Sequence, residues 1–367
     1  MSAVQYTDPF LLILDKIFRG YKKIFVNLQI ATKDTMKMET ILSGMRPTGN
    51  LHLGNYFGAL KNFIKLQEDY NCYFFIADFH LLTTHPNPED LDKNVKTILA
   101  QYLACGLDPE KATIYVQSSV PEVCELYMYL NMITYVGELQ RVAAFKEKVR
   151  QNPNNVNAGL LTYPTLMAAD ILLHRADKVP VGKDQQQHLE MTRDIAERFN
   201  RMYKNDYFPL PQAFSFDGEL VKVPSLDGNG KMSKSYGEQA TIYLTDEPSV
   251  LKKKIMRAKT DEGPQSPNSP KSVEVENLFS LMKLVSKPET IQQFDAAYSD
   301  CSIRYGDMKK QLLADMDSFI SPLRERIKEM SSDDQYLNKV IRTGAEKARE
   351  SAAKTIKEVR QIVGFKI

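Results

Sequence analysis

Two lysines beside serines, Lys231 and Lys234 in GKMSKS (230–235), and a histidine three residues from an asparagine, His52 and Asn55 in TGNLHLGN (48–55), are residue types that can handle phosphate. An ammonium group placed where negative charge builds up stabilises a polyphosphate during transfer. Imidazole and amide donors at a helix start add hydrogen bonds beside backbone N–H groups that already favour an anion. Each feature also has an ordinary reading. Lysine and serine are common in exposed loops, and His52 and Asn55 can cap or pack locally. Gly54 and Gly58 leave one helix face bare, which permits close approach of an adenine ring or of another helix. The two segments share a use only if the fold brings them together.

TILSGM (40–45) has the form of a short buried strand, RPTGN (46–50) that of a turn, and LHLGNYFGALKNFIKLQ carries Leu53, Phe57, Leu60 and Ile64 at helical spacing. CYFFIADF (72–79) and ATIYVQ (112–117) read as further buried strands, with helical stretches between and after them. This alternation predicts an α/β fold with a doubly wound parallel sheet, whose ligands sit at the strand carboxyl ends. The 46–50 turn therefore faces the expected pocket. Asp184 opens the helical stripe of Leu189, Ile195 and Phe199 and is placed as its N-cap. Beyond TIYLTDE (241–247), DEGPQSPNSPKS (261–272) is a turn-rich connector, and the rest has helical patterning. Positive residues cluster in LKKKIMRAK (251–259) and in AEKARESAAKTIKEVRQ; such faces are usually solvated. The expected division is an extension at 1–37, a Rossmann-like catalytic domain at 38–245, a helical domain at 246–341 and a C-terminal helix at 342–367.

A chain of 367 residues exceeds the usual size of one core. At 43% hydrophobic and 26% charged residues, its composition is that of an ordinary soluble protein. Lys plus Arg number 48 against 46 for Asp plus Glu, so any nucleic-acid surface must be a local patch. Cys72, Cys105, Cys124 and Cys301 have neither metal-site nor paired spacing, which fits reduced thiols in a cytoplasmic setting without a dedicated metal site. FLLILDKIF (10–18) is too short to span a membrane, is interrupted by Asp15 and lacks a cleavage pattern. An upstream extension or an early start codon accounts for 1–37, with an organelle presequence as the alternative.

A strand-turn-helix bearing PTGxLHLGN, followed much later by KMSKS, resembles the two signature motifs of class I aminoacyl-tRNA synthetases. HLGN takes the place of that class's HIGH motif. SGMRPTGNLHLGNYFGAL (43–60), GELQRVAAFKEK (137–148) and the run from Gly159 to Phe199 are similar to the bacterial-type tryptophanyl enzymes. The resemblance implies activation of tryptophan by MgATP, the Mg2+ arriving with ATP, and transfer to tRNA(Trp). It also implies that 246–341 is a tRNA anticodon-binding domain, that the chain forms a homodimer through an insertion of the 38–245 domain around ELYMYLNMITYVGEL (125–139), and that there is no membrane association.

By the same resemblance His52, Asn55, Lys148, Lys231, Ser233 and Lys234 are catalytic. ATP is bound by Arg46, Pro47, Thr48, Gly54, Asn55, Gly182, Asp184, Lys231, Met232, Ser233 and Lys234. Indole has one N–H donor and no acceptor, so a selective pocket needs a buried acceptor in an apolar slot. The resemblance gives Asp170 that part, with Leu42, Met167, Ile171, Val179 and Val181 as walls. Gly44, His80, Tyr163 and Gln185 complete the amino-acid site, Tyr163 and Gln185 holding the ammonium. Arg46, Leu42, Lys183 and His174 depart from the family's usual residues. A tyrosyl enzyme, a small-molecule nucleotidyltransferase and a catalytically silent RNA-binding paralogue are the competing readings.

Overall fold

The computed structural model describes residues 38–182, 185–214, 221–228, 230–234 and 237–365. Expectations for 1–37, Lys183, Asp184 and Ser235 lie outside these residues. β1 (Thr40–Met45) leads through the 46–50 turn into α1 (Leu53–Asn55), a π-helical turn (Tyr56–Leu60) and α2 (Lys61–Leu66). β2 (Asn71–Ile76), α3 (Asp78–Leu81), α4 (Pro88–Cys105), β3 (Thr113–Val116), α5 (Glu122–Ile133), α6 (Val136–Arg141), α7 (Ala143–Gln151) and α8 (Ala158–Leu173) follow. β4 (Lys178–Pro180), α9 (Gln186–Tyr203) and β5 (Gln212–Phe214) complete the sheet region. The strand expected at 72–79 stops at Ile76 for a local reason. The Asp78 carboxylate accepts the N–H groups of Phe79 at 3.0 Å and of Ser118 at 2.9 Å, which turns the chain into α3 and ties it to the end of β3.

All strand pairs are parallel, in the order β3-β2-β1-β4-β5. Strand order reverses between β1 and β4, so the crevice outside their carboxyl ends is the place where such a sheet binds ligands. Period-two alternation sends Ile41 and Phe74 into the core on one face and Leu42 and Phe75 into the core on the other. Phe63 of α2 stacks on Phe74 with ring centroids 4.5 Å apart, fixing the α1–α2 segment to the sheet.

After β5 the chain is helical: α10 (Pro248–Met256), α11 (Val273–Val285), α12 (Pro288–Ser299), α13 (Tyr305–Ser332) and α14 (Asp334–Val363). Residues 261–272 connect α10 to α11 without helix or strand. Phe319 of α13 lies against the rings of Tyr56 and Phe57, so the helical part shares the core beneath α1. The expected boundary at 341/342 falls inside α14, which runs unbroken and returns to the sheet. A Cβ on Gly344 would lie 1.7 Å from the Ile114 carbonyl oxygen; only glycine lets this helix press so closely on β3. Thr40–Ile367 packs as one compact unit. Within LKKKIMRAK, Lys254 is 3% exposed and ion-paired with Asp246, whereas its neighbours Lys252 and Lys253 are exposed. Among the described residues, no helix is long and apolar enough to cross a membrane.

Candidate active site

A cavity of about 510 Å³ opens at the reversal between β1 and β4. That is within the usual range for a small-molecule site. Its lining includes all ten residues expected around the amino acid: Leu42, Gly44, His80, Tyr163, Met167, Asp170, Ile171, Val179, Val181 and Gln185. Arg46, Asn55 and Lys148 line it too. A blind apolar end is thus continuous with a cationic mouth. Gly44 is required where β1 passes β2, because a Cβ there would meet the Phe75 ring and carbonyl oxygen at 2.8 Å.

Asp170 sits at the blind end on α8 and is 2% exposed. Burial raises its pKa, while hydrogen bonds from His80 and Gln117 oppose that rise. His80 Nε2 lies 2.8 Å from Oδ2, and Gln117 Nε2 donates to both oxygens at 2.8 and 3.0 Å. Gln117 is itself oriented by the Phe79 N–H, which donates to its Oε1 at 3.1 Å. A carboxylate offers about four lone-pair positions, so an acceptor direction remains for one further donor from the cavity. Gln117 escaped the sequence reading. Its position just past β3, at a carboxyl end of the parallel sheet, was the available signal.

Tyr163 OH lies 2.6 Å from His188 Nε2, and His188 Nδ1 lies 2.9 Å from Gln185 Oε1. Oε1 can only accept, so Nδ1 carries the proton and Nε2 accepts from the tyrosine hydroxyl. His188, 1% exposed, was also missed. Its place in DQQQH, one helical turn after Gln185, was the clue. Lys148 is half-buried with Nζ 4.5 Å from the Tyr163 ring centroid, rather than extended into solvent. Burial, and then the charge of Arg46, lower its pKa. His174 is outside this cavity. It is buried between Tyr115 OH at 3.1 Å and Ser351 Oγ at 3.2 Å, and burial pulls its pKa down to about 3, so it is neutral.

At the other end of the site, the capping reading of HLGN is realised. His52 Nδ1 accepts the Asn55 N–H at 3.3 Å, and Asn55 Oδ1 accepts the His52 N–H at 3.1 Å, a reciprocal cap. Capping takes up an acceptor on each side chain and leaves its donors. Burial, then the charges of Lys234 and Lys231, push His52 down to about 4. The ring is therefore neutral at pH 7, and its proton is on Nε2. Lys234 Nζ donates to Thr48 O at 2.9 Å and lies 3.2 Å from Thr48 Oγ1, bringing the 230–234 segment onto the 46–50 turn. Burial lowers Lys234 to about 8. The Ser233 carbonyl accepts from Thr241 Oγ1 at 3.0 Å.

The face left bare at Gly54 and Gly58 meets loop backbone. A Cβ on Gly54 would lie 3.5 Å from the Met232 carbonyl oxygen, and one on Gly58 would lie 3.9 Å from that of Val221. Met232 is 1% exposed with its side chain in the core, so only its backbone can face a ligand. Pro47, Thr48, His52, Gly54, Gly182, Lys231, Met232, Ser233 and Lys234 are not in the cavity wall; all but Pro47 and Gly182 belong to the two phosphate-type segments. Among the described residues, no three His, Cys, Asp or Glu side chains are grouped to hold a metal ion.

Residues 35–321 match the family of tRNA synthetases class I (W and Y). The chain belongs to this class I synthetase family. Its similarity is to the bacterial tryptophanyl type. It is 62% identical over 329 residues to the tryptophan–tRNA ligase of Porphyromonas gingivalis, covering 90% of this chain and 100% of that protein. Its identity to the Fusobacterium nucleatum tryptophan–tRNA ligase is 42%, over 89% of this chain and 98% of the relative. The solved tryptophanyl-tRNA synthetase of Campylobacter jejuni, complexed with ADP and tryptophan, superposes with a TM-score of 0.79 at 36% identity. That match covers 89% of this synthetase and 99% of the C. jejuni chain.

Proposed function

We infer that this chain is a tryptophan–tRNA ligase, which activates tryptophan with MgATP to tryptophanyl-adenylate and then charges tRNA(Trp). The observation that carries the reading is the single cavity running from the buried acceptor Asp170 to Asn55, Arg46 and Lys148 at the mouth. The indole fills the slot between Leu42, Met167, Ile171, Val179 and Val181, its N–H donating to Asp170. The amino group binds Tyr163 and Gln185, whose hydroxyl and amide are oriented through His188.

This places the carboxylate toward the mouth, where it attacks the α-phosphate and pyrophosphate leaves. No side chain forms a covalent bond; the residues position the reactants and stabilise charge. His52 Nε2–H and the Asn55 amide donate to phosphate oxygens from one side. Lys231, Ser233 and Lys234 approach from the other, and Lys148 and Arg46 add positive charge. Gly182 borders the nucleotide, and Mg2+ enters with ATP. The chain works as a homodimer through Met128, Met132, Tyr135 and Val136, large apolar side chains 59%, 76%, 62% and 58% exposed around the end of α5. Basic residues of the helical part, such as Lys252 and Lys253, meet the tRNA through contacts that weaken with salt.

Amino-acid-dependent ATP–pyrophosphate exchange tests the reading. Exchange with tryptophan, and none with tyrosine or phenylalanine, is the expected result. Exchange with tyrosine would refute the part given to Asp170, and no exchange with any amino acid would refute the activity.

A further inference from the structure

The segment from Thr241 to Asp246 touches both halves of the phosphate-handling region. The Tyr243 backbone bridges that of His52 in antiparallel fashion, the Leu53 N–H donates to Ile242 O at 3.0 Å, and the Leu244 N–H donates to Leu51 O at 3.0 Å. Thr241 Oγ1 donates to the Ser233 carbonyl at 3.0 Å. One short stretch of backbone therefore sets where HLGN and KMSKS stand relative to one another.

That stretch is fixed from beneath by charge. Asp246, 8% exposed, accepts the Tyr243 N–H at 3.0 Å and two hydrogen bonds from Lys254 Nζ at 2.8 and 2.7 Å. Lys254 Nζ also lies 4.8 Å from the Tyr243 ring centroid. Arg324 of α13, 4% exposed, donates Nη1 to the Asp246 carbonyl oxygen at 2.8 Å. A buried ion pair contributes little net stability compared with well-packed apolar residues, because desolvation offsets its attraction. What it supplies is direction, since hydrogen bonds to both carboxylate oxygens and to the main chain leave the turn a single arrangement.

We propose that Asp246, Lys254 and Arg324 form a positioning unit that sets the spacing between the HLGN turn and the KMSKS loop for the activation step, linking the helical region to the ATP site. The proposal rests on the phosphate-binding parts given above to His52 and Lys234. Loss of exchange in Lys234→Ala checks that foundation separately.

The test uses the full chain with Asp246→Asn, Lys254→Met and the double variant, with Lys328→Met as control because it cuts only exposed pairs, with Glu247 beside the same turn and with Glu325. Tryptophan binding is read from the ligand's own fluorescence, since the protein contains no tryptophan. Each single variant is expected to lose at least tenfold in kcat for exchange, with the tryptophan Kd changed less than twofold. The double variant is expected to be no slower than the slower single, and the control to match wild type. Folded single variants with wild-type kcat, or with losses that multiply in the double, would overturn the unit. If a single variant unfolds, the double variant decides: no buried charge is then left unpaired across the pair, and wild-type kcat there also overturns the proposal.

Discussion

Lys234 offers the sharpest test of the proposed chemistry, because burial has moved its titration into an accessible range. With a pKa of about 8, the free enzyme holds this ammonium mostly charged at pH 7 and mostly neutral at pH 9. The sign follows directly: the charged form is the useful one, so kcat/KM for ATP falls as pH rises through about 8. The fraction charged drops about tenfold between pH 7 and pH 9, and kcat/KM reports the free enzyme's groups. His52, at about 4, adds no acidic limb between pH 5.5 and 7. The assay is pyrophosphate exchange at limiting ATP and saturating tryptophan, from pH 5.5 to 9.5. Lys234→Arg keeps its charge throughout and loses the alkaline limb, whatever its absolute rate. Lys234→Ala costs about 3 to 4 kcal/mol, the scale for one preorganised donor, and the loss falls on kcat rather than on tryptophan KM. A flat wild-type profile to pH 9.5, an unchanged limb in Lys234→Arg, or an unchanged kcat in Lys234→Ala refutes the assignment.

Asp170→Asn lowers kcat/KM for tryptophan by about 1.5–3 kcal/mol, the value of a hydrogen bond to a charged group, while ATP KM stays constant; steady-state exchange reads both. Gly344→Ala places a methyl group into the Ile114 carbonyl and destabilises the fold by at least about 3 kcal/mol, the upper end for overpacking, seen as a lower denaturation midpoint. Met132→Lys puts a charge in the exposed apolar patch and yields a monomer in sedimentation, whereas a wild-type sedimentation profile would remove α5 from the interface.

The sequence makes the first strand, turn and helix legible because strong local signals agree there: apolar alternation, a Pro-Thr-Gly turn and helical spacing after it. β4 and β5 are three residues long and carry no period to detect, so neither is visible before the sheet forms. Lys254 looks like its solvated neighbours, since nothing local reveals that it pairs with Asp246, whose carbonyl Arg324 holds from α13. The pocket residues given by family resemblance all reach one cavity, whereas the groups that orient them, Gln117 and His188, act through other side chains and have no motif of their own. His52 and Asn55 show why capping and ligand donation are hard to separate in the sequence: the reciprocal cap uses one acceptor of each side chain and leaves the donors that a ligand would need.

The close seating of α14 on β3 has a consequence for the order in which the protein is made. During synthesis β3 emerges long before residues 334–363, and until then it is an outer strand of the growing sheet without the helix that later covers it. Exposed strand edges invite pairing with other chains. Once α14 arrives, Lys347 and Arg349 fasten to the carbonyls of Pro109 and Ser119 on either side of the strand. Ser119 follows Gln117, which orients the pocket acceptor. A nascent chain that stalls before α14 therefore carries an unsealed β3 edge next to the segment that bears Gln117.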